Sequence, residues 1–325
     1  QTTAGQPPAA SFSESLEVAL STLPVRVLDR AGAAVANLEA GDFRLLVDGR
    51  ESPIEAAVWI DASRPLAEVE RAELEAAGIA PPPDGQLVVL FVQTSLQGSR
   101  LAGQVRMLPH AQRFVDRLGP RDRAAVVSFD SHLKLRQDFT RDRNRLRAAL
   151  ERSLVPGPAP PPRPESALSL ARGFETEAAL EAATPERALE LTARALIPIP
   201  GAKTLVYLGW GLGRLSRLGV EMTERYDDAL RALAAARTTV FVLDVSDSDY
   251  HSLEVGLRQV AADTGGTYAK THLTPGAATD RLASALDGHY LLYFRRPEGA
   301  EAGRLRVELR DRRRGEVLVP SLTFP

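Results

Sequence analysis

One five-residue stretch carries the spacing of a metal-binding loop. Asp244-Val245-Ser246-Asp247-Ser248 sets a carboxylate and two hydroxyls at alternate positions, and Asp249 follows. Oxygen donors of this kind suit a hard divalent cation. The stretch begins where the apolar run Val240–Val245 ends, at the carboxyl end of an expected strand. A solvated strand-to-helix loop, with Ser248 or Asp249 capping the next helix, accounts for the same residues. The five histidines, His110, His132, His251, His272 and His289, show neither His-x-x-x-His nor His-Glu-x-x-His spacing. His251 lies close to two acids, Asp247 and Asp249.

The remaining chemistry is thin. There is no cysteine, which excludes disulfides, Cys-ligated zinc, iron–sulfur clusters and thiol nucleophiles. Gly209-Trp210-Gly211-Leu212-Gly213 has glycines without the spacing of a nucleophile elbow or a dinucleotide fingerprint. Asp130 and Asp138 form no evident carboxylate pair. No catalytic constellation emerges, and no cofactor is expected. Arg310-Asp311-Arg312-Arg313-Arg314-Gly315 is the densest basic run and reads as a solvated hairpin turn. Residues 156–164 (PGPAPPPRP) read as a rigid polyproline excursion at the surface.

These residues need elements to position them. The chain has 325 residues, 44% hydrophobic and 25% charged, a globular composition with room for about two domains. Forty basic residues against forty-two acidic ones give a net charge of −2, which argues against a nucleic-acid footprint. No apolar run reaches the length of a membrane span. Residues 12–63 read as β, with Leu16–Leu20, Val25–Leu28 and Phe43–Val47 as strands and Asp48-Gly49 as a tight turn. Residues 64–85 read as a helical, Pro-rich linker ending in Gly78 and Pro81-Pro82-Pro83. From 86 to 288 strands and helices alternate. Leu87–Val92, Ala124–Phe129, Thr204–Leu208 and Val240–Val245 are continuous apolar runs, the mark of strands buried on both faces. Leu133–Phe139 alternates as an edge strand would. Helices are expected over about 101–118, 143–154, 165–196 (restarting at Pro185), 222–236, 251–263 and 276–287. In the first of these, Val105, Leu108, Phe114, Val115 and Leu118 are candidate core positions. Residues 289–325 return to β.

The fold class expected is α/β: a doubly wound, mostly parallel sheet inserted in a small β-sandwich that the N- and C-terminal segments build together. The absence of an initiator Met and the polar stretch 1–11 fit a flexible tail left by signal-peptide removal, and so an exported protein.

Four motifs in order carry a family resemblance. Val25–Leu38 leading into Gly41-Asp42-Phe43 is similar to a V-x-D-x-x-G-x-x-V-x-x-L-x-x-x-D-F opening. Gly119–Phe129 resembles an L-x-x-x-D-x-v-x-v-v-x-F strand. Leu257–Tyr268 resembles an L-x-x-l-A-x-x-T-G-G helix and turn. His289–Phe294 resembles a closing Y-y-x-l-x-Y strand. Together they resemble von Willebrand factor type A domains, within flanks like those of the VWFA-related proteins of Acidobacteria and similar bacteria. The resemblance implies an Asp-x-Ser-x-Ser magnesium site after the first α/β strand and an Asp-Gly loop after the fourth. Here those positions read Gln93-Thr94-Ser95-Leu96-Gln97 and Gly209–Gly213, without a carboxylate. The site is therefore expected to hold no metal. With strand order 3-2-1-4-5-6, Gln93, Ser95, Gln97 and Trp210 would line the crevice at the strand carboxyl ends and contact a protein partner. The function expected is an exported, non-enzymatic interaction or assembly module, in the periplasm or at the cell surface. Two alternatives stand beside it: a metal-dependent adhesion module using Asp244, Ser246 and Ser248, and a hydrolase with an unrecognised site.

Overall fold

A computed structural model of the chain describes residues 20–62, 64, 67–76, 84–155, 157–161, 163–164, 166–295, 303–320 and 322–323. The expected strand positions Leu16–Ala19, and Gly78 and Pro81–Pro83 of the linker, lie outside these residues. Strands β1 (Leu20–Leu28), β2 (Phe43–Val47), β3 (Arg50–Ser52) and β4 (Ile54–Asp61) come first, then helix α1 (Glu68–Ala76). The middle of the chain runs β5 (Leu87–Gln93), α2 (Gly98–Arg117), β6 (Arg123–Phe129), β7 (Leu133–Thr140), α3 (Arg143–Ser153), α4 (Thr176–Leu180), α5 (Pro185–Leu196) and β8 (Lys203–Gly209). It continues with β9 (Arg214–Ser216), β10 (Gly219–Glu221), α6 (Arg225–Ala235), β11 (Thr238–Asp244), α7 (Glu254–Asp263), β12 (Tyr268–Lys270) and α8 (Pro275–Ala285). The last elements are β13 (Gly288–Arg295), β14 (Gly303–Leu309), β15 (Glu316–Leu318) and β16 (Leu322–Thr323).

Six strands form the central sheet in the order β12-β11-β8-β5-β6-β7, all parallel except β7, which runs antiparallel to β6. Counted from β5, this is the order 3-2-1-4-5-6. The strands read as unbroken apolar runs because successive side chains enter different cores. Val88, Leu90 and Val92 pack on one face with Met107, Leu146 and Leu282, from α2, α3 and α8. Leu87, Val89 and Phe91 pack on the other with Leu189, Leu230 and Leu257, from α5, α6 and α7. The chain reverses its winding direction between β5 and β8, so their carboxyl ends open the crevice at which such sheets bind ligands.

Some expectations need correction. Val105 of α2 is 55% exposed. The buried stripe is Gln104, Met107, Ala111, Phe114 and Val115, one helical step away. The edge strand β7 does not face solvent with its polar residues. Arg136 Nε donates to Ser128 Oγ at 2.8 Å and Nη1 to Pro158 O at 3.3 Å, which ties the proline-rich loop down. Asp138 accepts from Ser169 Oγ at 2.5 Å and from the Leu170 N–H at 2.7 Å. The stretch 165–196 is not one helix but a 3-10 turn at Leu170–Arg172, α4 and α5. Pro185 begins α5, and Thr184 Oγ1 caps it by accepting the Arg187 N–H at 3.3 Å.

Both ends of the chain supply a sandwich of two four-stranded antiparallel sheets, β15-β1-β13-β4 and β16-β14-β2-β3. Asp48 and Gly49, at φ 49° and 79°, make the tight turn between β2 and β3. Arg310–Gly315 is not a hairpin turn. It leaves β14 in one sheet and enters β15 in the other, and its charges are ion-paired, Arg314 to Asp42 at 2.6 Å and Arg310 to Glu51 at 3.2 Å. Between the sheets Tyr290 packs against Phe43 and Trp59, with ring centroids 5.3 and 4.9 Å away. Its hydroxyl accepts the Leu38 N–H at 3.0 Å and donates to Val35 O at 2.9 Å, pinning the β1–β2 connection. Tyr290→Phe should keep the rings and lose both bonds. The expected cost is about 1–3 kcal/mol in urea unfolding, because a backbone N–H and a C=O are stranded in the sandwich.

Candidate functional site

Gln93 ends β5 and is 1% exposed. Its Oε1 accepts two consecutive backbone N–H groups from the loop after β8, Trp210 at 3.0 Å and Gly211 at 3.1 Å. Its backbone carbonyl accepts from the Gln104 side chain on α2. Gln93 is therefore a brace between β5, β8 and α2, and it presents no surface of its own. Gly209 leaves room for this: a Cβ there would stand 2.6 Å from Gln93 Oε1 and would collide with the Tyr207 ring. Ser95 is half-buried and its Oγ accepts the Gln97 N–H at 3.3 Å, while Gln97 is exposed.

Trp210 is partly buried, with the Arg100 guanidinium of α2 stacked on its ring, 3.3 Å from the centroid. Burial holds the Arg100 pKa below its ordinary value. The two side chains wall one side of a pocket of about 220 Å³, whose other lining residues include Leu215 of β9, Ser246, Asp247, Ser248 and His251. The structure thus brings Trp210 and the Ser246/Ser248 loop to one pocket and leaves Gln93 behind it.

Asp244 lies under that pocket and is 1% exposed. Its Oδ1 accepts the Ser246 N–H at 3.0 Å, and its Oδ2 accepts from His251 Nε2 at 2.8 Å and from the Tyr268 hydroxyl at 2.5 Å. Although burial opposes its charge, these donors hold its pKa below the ordinary carboxylate value. Burial and the bonded Asp244 push the Tyr268 phenol well above its ordinary pKa. Ser248 Oγ donates away from this cluster, to Tyr250 O at 3.1 Å. Asp244 and Ser246 thus pair with each other, while Ser248 is turned to the Tyr250 carbonyl. His251, which the sequence places near Asp247 and Asp249, pairs with Asp244 instead. Asp247 holds Arg106 at 2.5 Å and His272 at 2.9 Å.

Asp244, His251 and Glu254 do bring one ligand atom each within 4.8 Å of one another. Lys270 Nζ, however, lies 2.6 Å from Glu254 Oε2, so an ammonium already supplies the positive charge there. Among the described residues, no hydroxyl hydrogen-bonds His251, whose side chain pairs with Asp244. Arg100, Tyr268 and Glu254 went unread in the sequence. A lone Arg in a helix's first turn leaves no local pattern, Tyr268 lies 24 residues from Asp244, and Glu254 lies three residues after His251 but ten after Asp244.

At the carboxyl end of the sheet, four of the five loops that follow parallel strands carry an exposed apolar residue: Leu96 after β5, Leu215 and Leu218 after β8, Tyr250 after β11 and Leu273 after β12; the loop after β6, Asp130–His132, carries none.

No protein-family profile matches the chain, and no curated protein matches it. Among solved structures it is similar to a von Willebrand factor type A protein from Catenulispora acidiphila, at 13% identity and a TM-score of 0.43 over 85% of this chain and 51% of that one. The chain thus spans about half the length of that protein. It is also similar to the conserved hypothetical protein BatB from Bacteroides thetaiotaomicron, at 17% identity and a TM-score of 0.39 over 62% and 99% of the two chains. A third is the vWF domain of the type V pili tip protein Mfa5 from Porphyromonas gingivalis, at 12% identity and a TM-score of 0.41 over 63% and 96%. Likeness at this level concerns the fold alone.

Proposed function

We propose that this chain is a non-enzymatic protein-interaction module. It grips a protein partner through the loops at the carboxyl edge of its parallel sheet and uses no bridging cation. The observation that carries the reading is the exposed apolar residue in four of the five loops after parallel strands, those after β5, β8, β11 and β12, at the sheet edge that also holds the Arg100–Trp210 pocket. Apolar side chains gathered at one end of a sheet and rimmed by polar groups mark a contact surface.

The donors at the end of β5 do not fit a divalent cation. The side-chain oxygen that β5 directs at the β8 loop, that of Gln93, is an amide oxygen already accepting two N–H groups; neither loop contains a carboxylate, and the Glu186 carboxylate of α5 reaches the β8 loop only at its far end, accepting the Gly213 N–H at 2.9 Å. A magnesium ion dehydrates reluctantly and needs anionic oxygen to offset that cost. The proposal includes a location outside the cytoplasm, in the periplasm or at the cell surface, which fractionation of the source cells would test.

The test is co-purification from the source organism with and without EDTA. Wild-type protein should retain the same partner in both conditions. The triple variant Leu96→Ser, Leu218→Ser, Tyr250→Ser should lose at least tenfold of it, while Val69→Ser, on the distant helix α1, should lose none. Loss of the partner in EDTA, or full retention by the triple variant, would overturn the reading.

A further inference from the structure

One wall of the pocket carries a cation without a counter-charge. Among the described residues, the Arg100 guanidinium makes no ion pair and no hydrogen bond; its one partner is the face of the Trp210 ring. Stacking fixes the plane of the guanidinium and leaves its edge, with the N–H groups, unused. The Trp210 indole N–H is buried without an acceptor. The acid that lines the same pocket, Asp247, is committed to Arg106 and His272, and Asp244 beneath it to His251, Tyr268 and Ser246. Neither is turned to Arg100. Helix α2 begins beside it with no side-chain cap and no acidic residue in its first turn, so the helix dipole adds positive potential where Ser99 and Arg100 enter the wall. A partly desolvated cation kept without a counter-charge favours an anionic ligand.

We infer that the pocket receives a carboxylate, the side chain of a glutamate or aspartate on the protein partner, which pairs with the edge of the Trp210-stacked Arg100 guanidinium. This rests on the proposed reading of the carboxyl edge as a docking surface. The pocket's size fits one side chain, since about 220 Å³ is below the usual volume of a small-molecule site. Planar recognition favours a carboxylate, which the guanidinium fork can bind through two parallel hydrogen bonds. The exposed leucines supply apolar contact around it, and the buried charge pair supplies specificity.

The experiment follows the two tryptophan indole resonances of the ¹⁵N-labelled full chain, assigned with Trp59→Phe. The probe is N-acetylglutamic acid α-amide, whose one carboxylate is on the side chain. Controls are N-acetylglutamine α-amide, which is neutral, N-acetylglutamine with a free α-carboxylate, and inorganic phosphate. The glutamate probe should shift the Trp210 signal saturably at millimolar concentration and leave Trp59 unmoved. Arg100→Gln should weaken this at least tenfold, and Arg100→Lys, which keeps the charge and loses the fork, should weaken it less. An unmoved Trp210 signal, an equal response to the neutral amide or to phosphate, a preference for the free α-carboxylate, or an unaltered affinity in Arg100→Gln would each overturn the assignment. Should Arg100→Gln fail to fold, the four-probe comparison on wild type decides by itself. If the glutamate probe fails while the triple surface variant still loses the partner, the pocket inference falls and the docking surface stands.

Discussion

Gln93→Leu is expected to lower the free energy of unfolding by about 2–4 kcal/mol and to unlock the loop after β8. Leucine matches glutamine in size, so the cost is not a cavity. It arises because the Trp210 and Gly211 N–H groups lose the oxygen they share, in a place closed to water. A buried donor left alone costs roughly 1–3 kcal/mol, far more than the net worth of the bond it made. Hydrogen exchange should report it residue by residue: the Trp210 and Gly211 amides should lose protection while those within β5 keep theirs. Gln93→Glu supplies the contrast, since its carboxylate oxygen can accept the same two bonds. It should preserve loop protection even if burial of its charge lowers overall stability. Equal loss of protection in both variants would show that the carboxamide oxygen is not what holds the loop.

Acid should weaken the protein well before its carboxylates titrate, through His289. Burial, aided by the adjacent Arg26 guanidinium, pushes this imidazole from 6.5 down to about 3. The unfolded chain takes up a proton near pH 6.5, whereas the folded chain refuses it until about pH 3. Stability from this group is therefore complete above pH 7 and declines as the pH falls through 6.5 toward 3. At roughly 1.4 kcal/mol per pH unit, about 2–3 kcal/mol is lost between pH 7 and pH 4.5. The Asp130 carboxyl, held at about 2 by Lys134 and by N–H groups of Ser131 and His132 despite opposing burial, contributes its loss only below pH 4. Urea unfolding of wild type and His289→Gln across pH 4.5–7 isolates the effect, because groups common to both proteins cancel in the difference. The variant should show a slope flatter by most of this amount; parallel curves would mean that His289 is protonated in the fold.

Much of the architecture was legible because it rests on short-range patterns. Leu87–Val92 could be read as a doubly buried strand from its unbroken apolar run, and Asp48-Gly49 as a turn from its tolerance of positive φ. The failures lie where distant segments decide. Val105 is as apolar as its neighbours, and only the packing of α2 on the sheet turns it outward. Arg310–Gly315 looks like a hairpin because sequence cannot show that β14 and β15 join different sheets. The candidate site was half legible. The missing acids at Gln93 and Gly209–Gly213 are plain in the sequence, but the work of the Gln93 oxygen appears only once β5 and β8 lie side by side. Asp244 was visible as a potential ligand. That its oxygens are taken by His251 and Tyr268, the latter 24 residues on, follows from a loop that folds back and from the pairing of β12 with β11.

The central claim is that the carboxyl edge of this sheet works without a divalent cation, and crystals soaked in manganese test it most directly. Manganese occupies oxygen-donor sites suited to magnesium and scatters anomalously. The expected map shows no anomalous peak beside Ser95, and none among Asp244, His251 and Glu254. A peak at either place, with oxygen or nitrogen ligands at about 2.0–2.3 Å, would contradict the account.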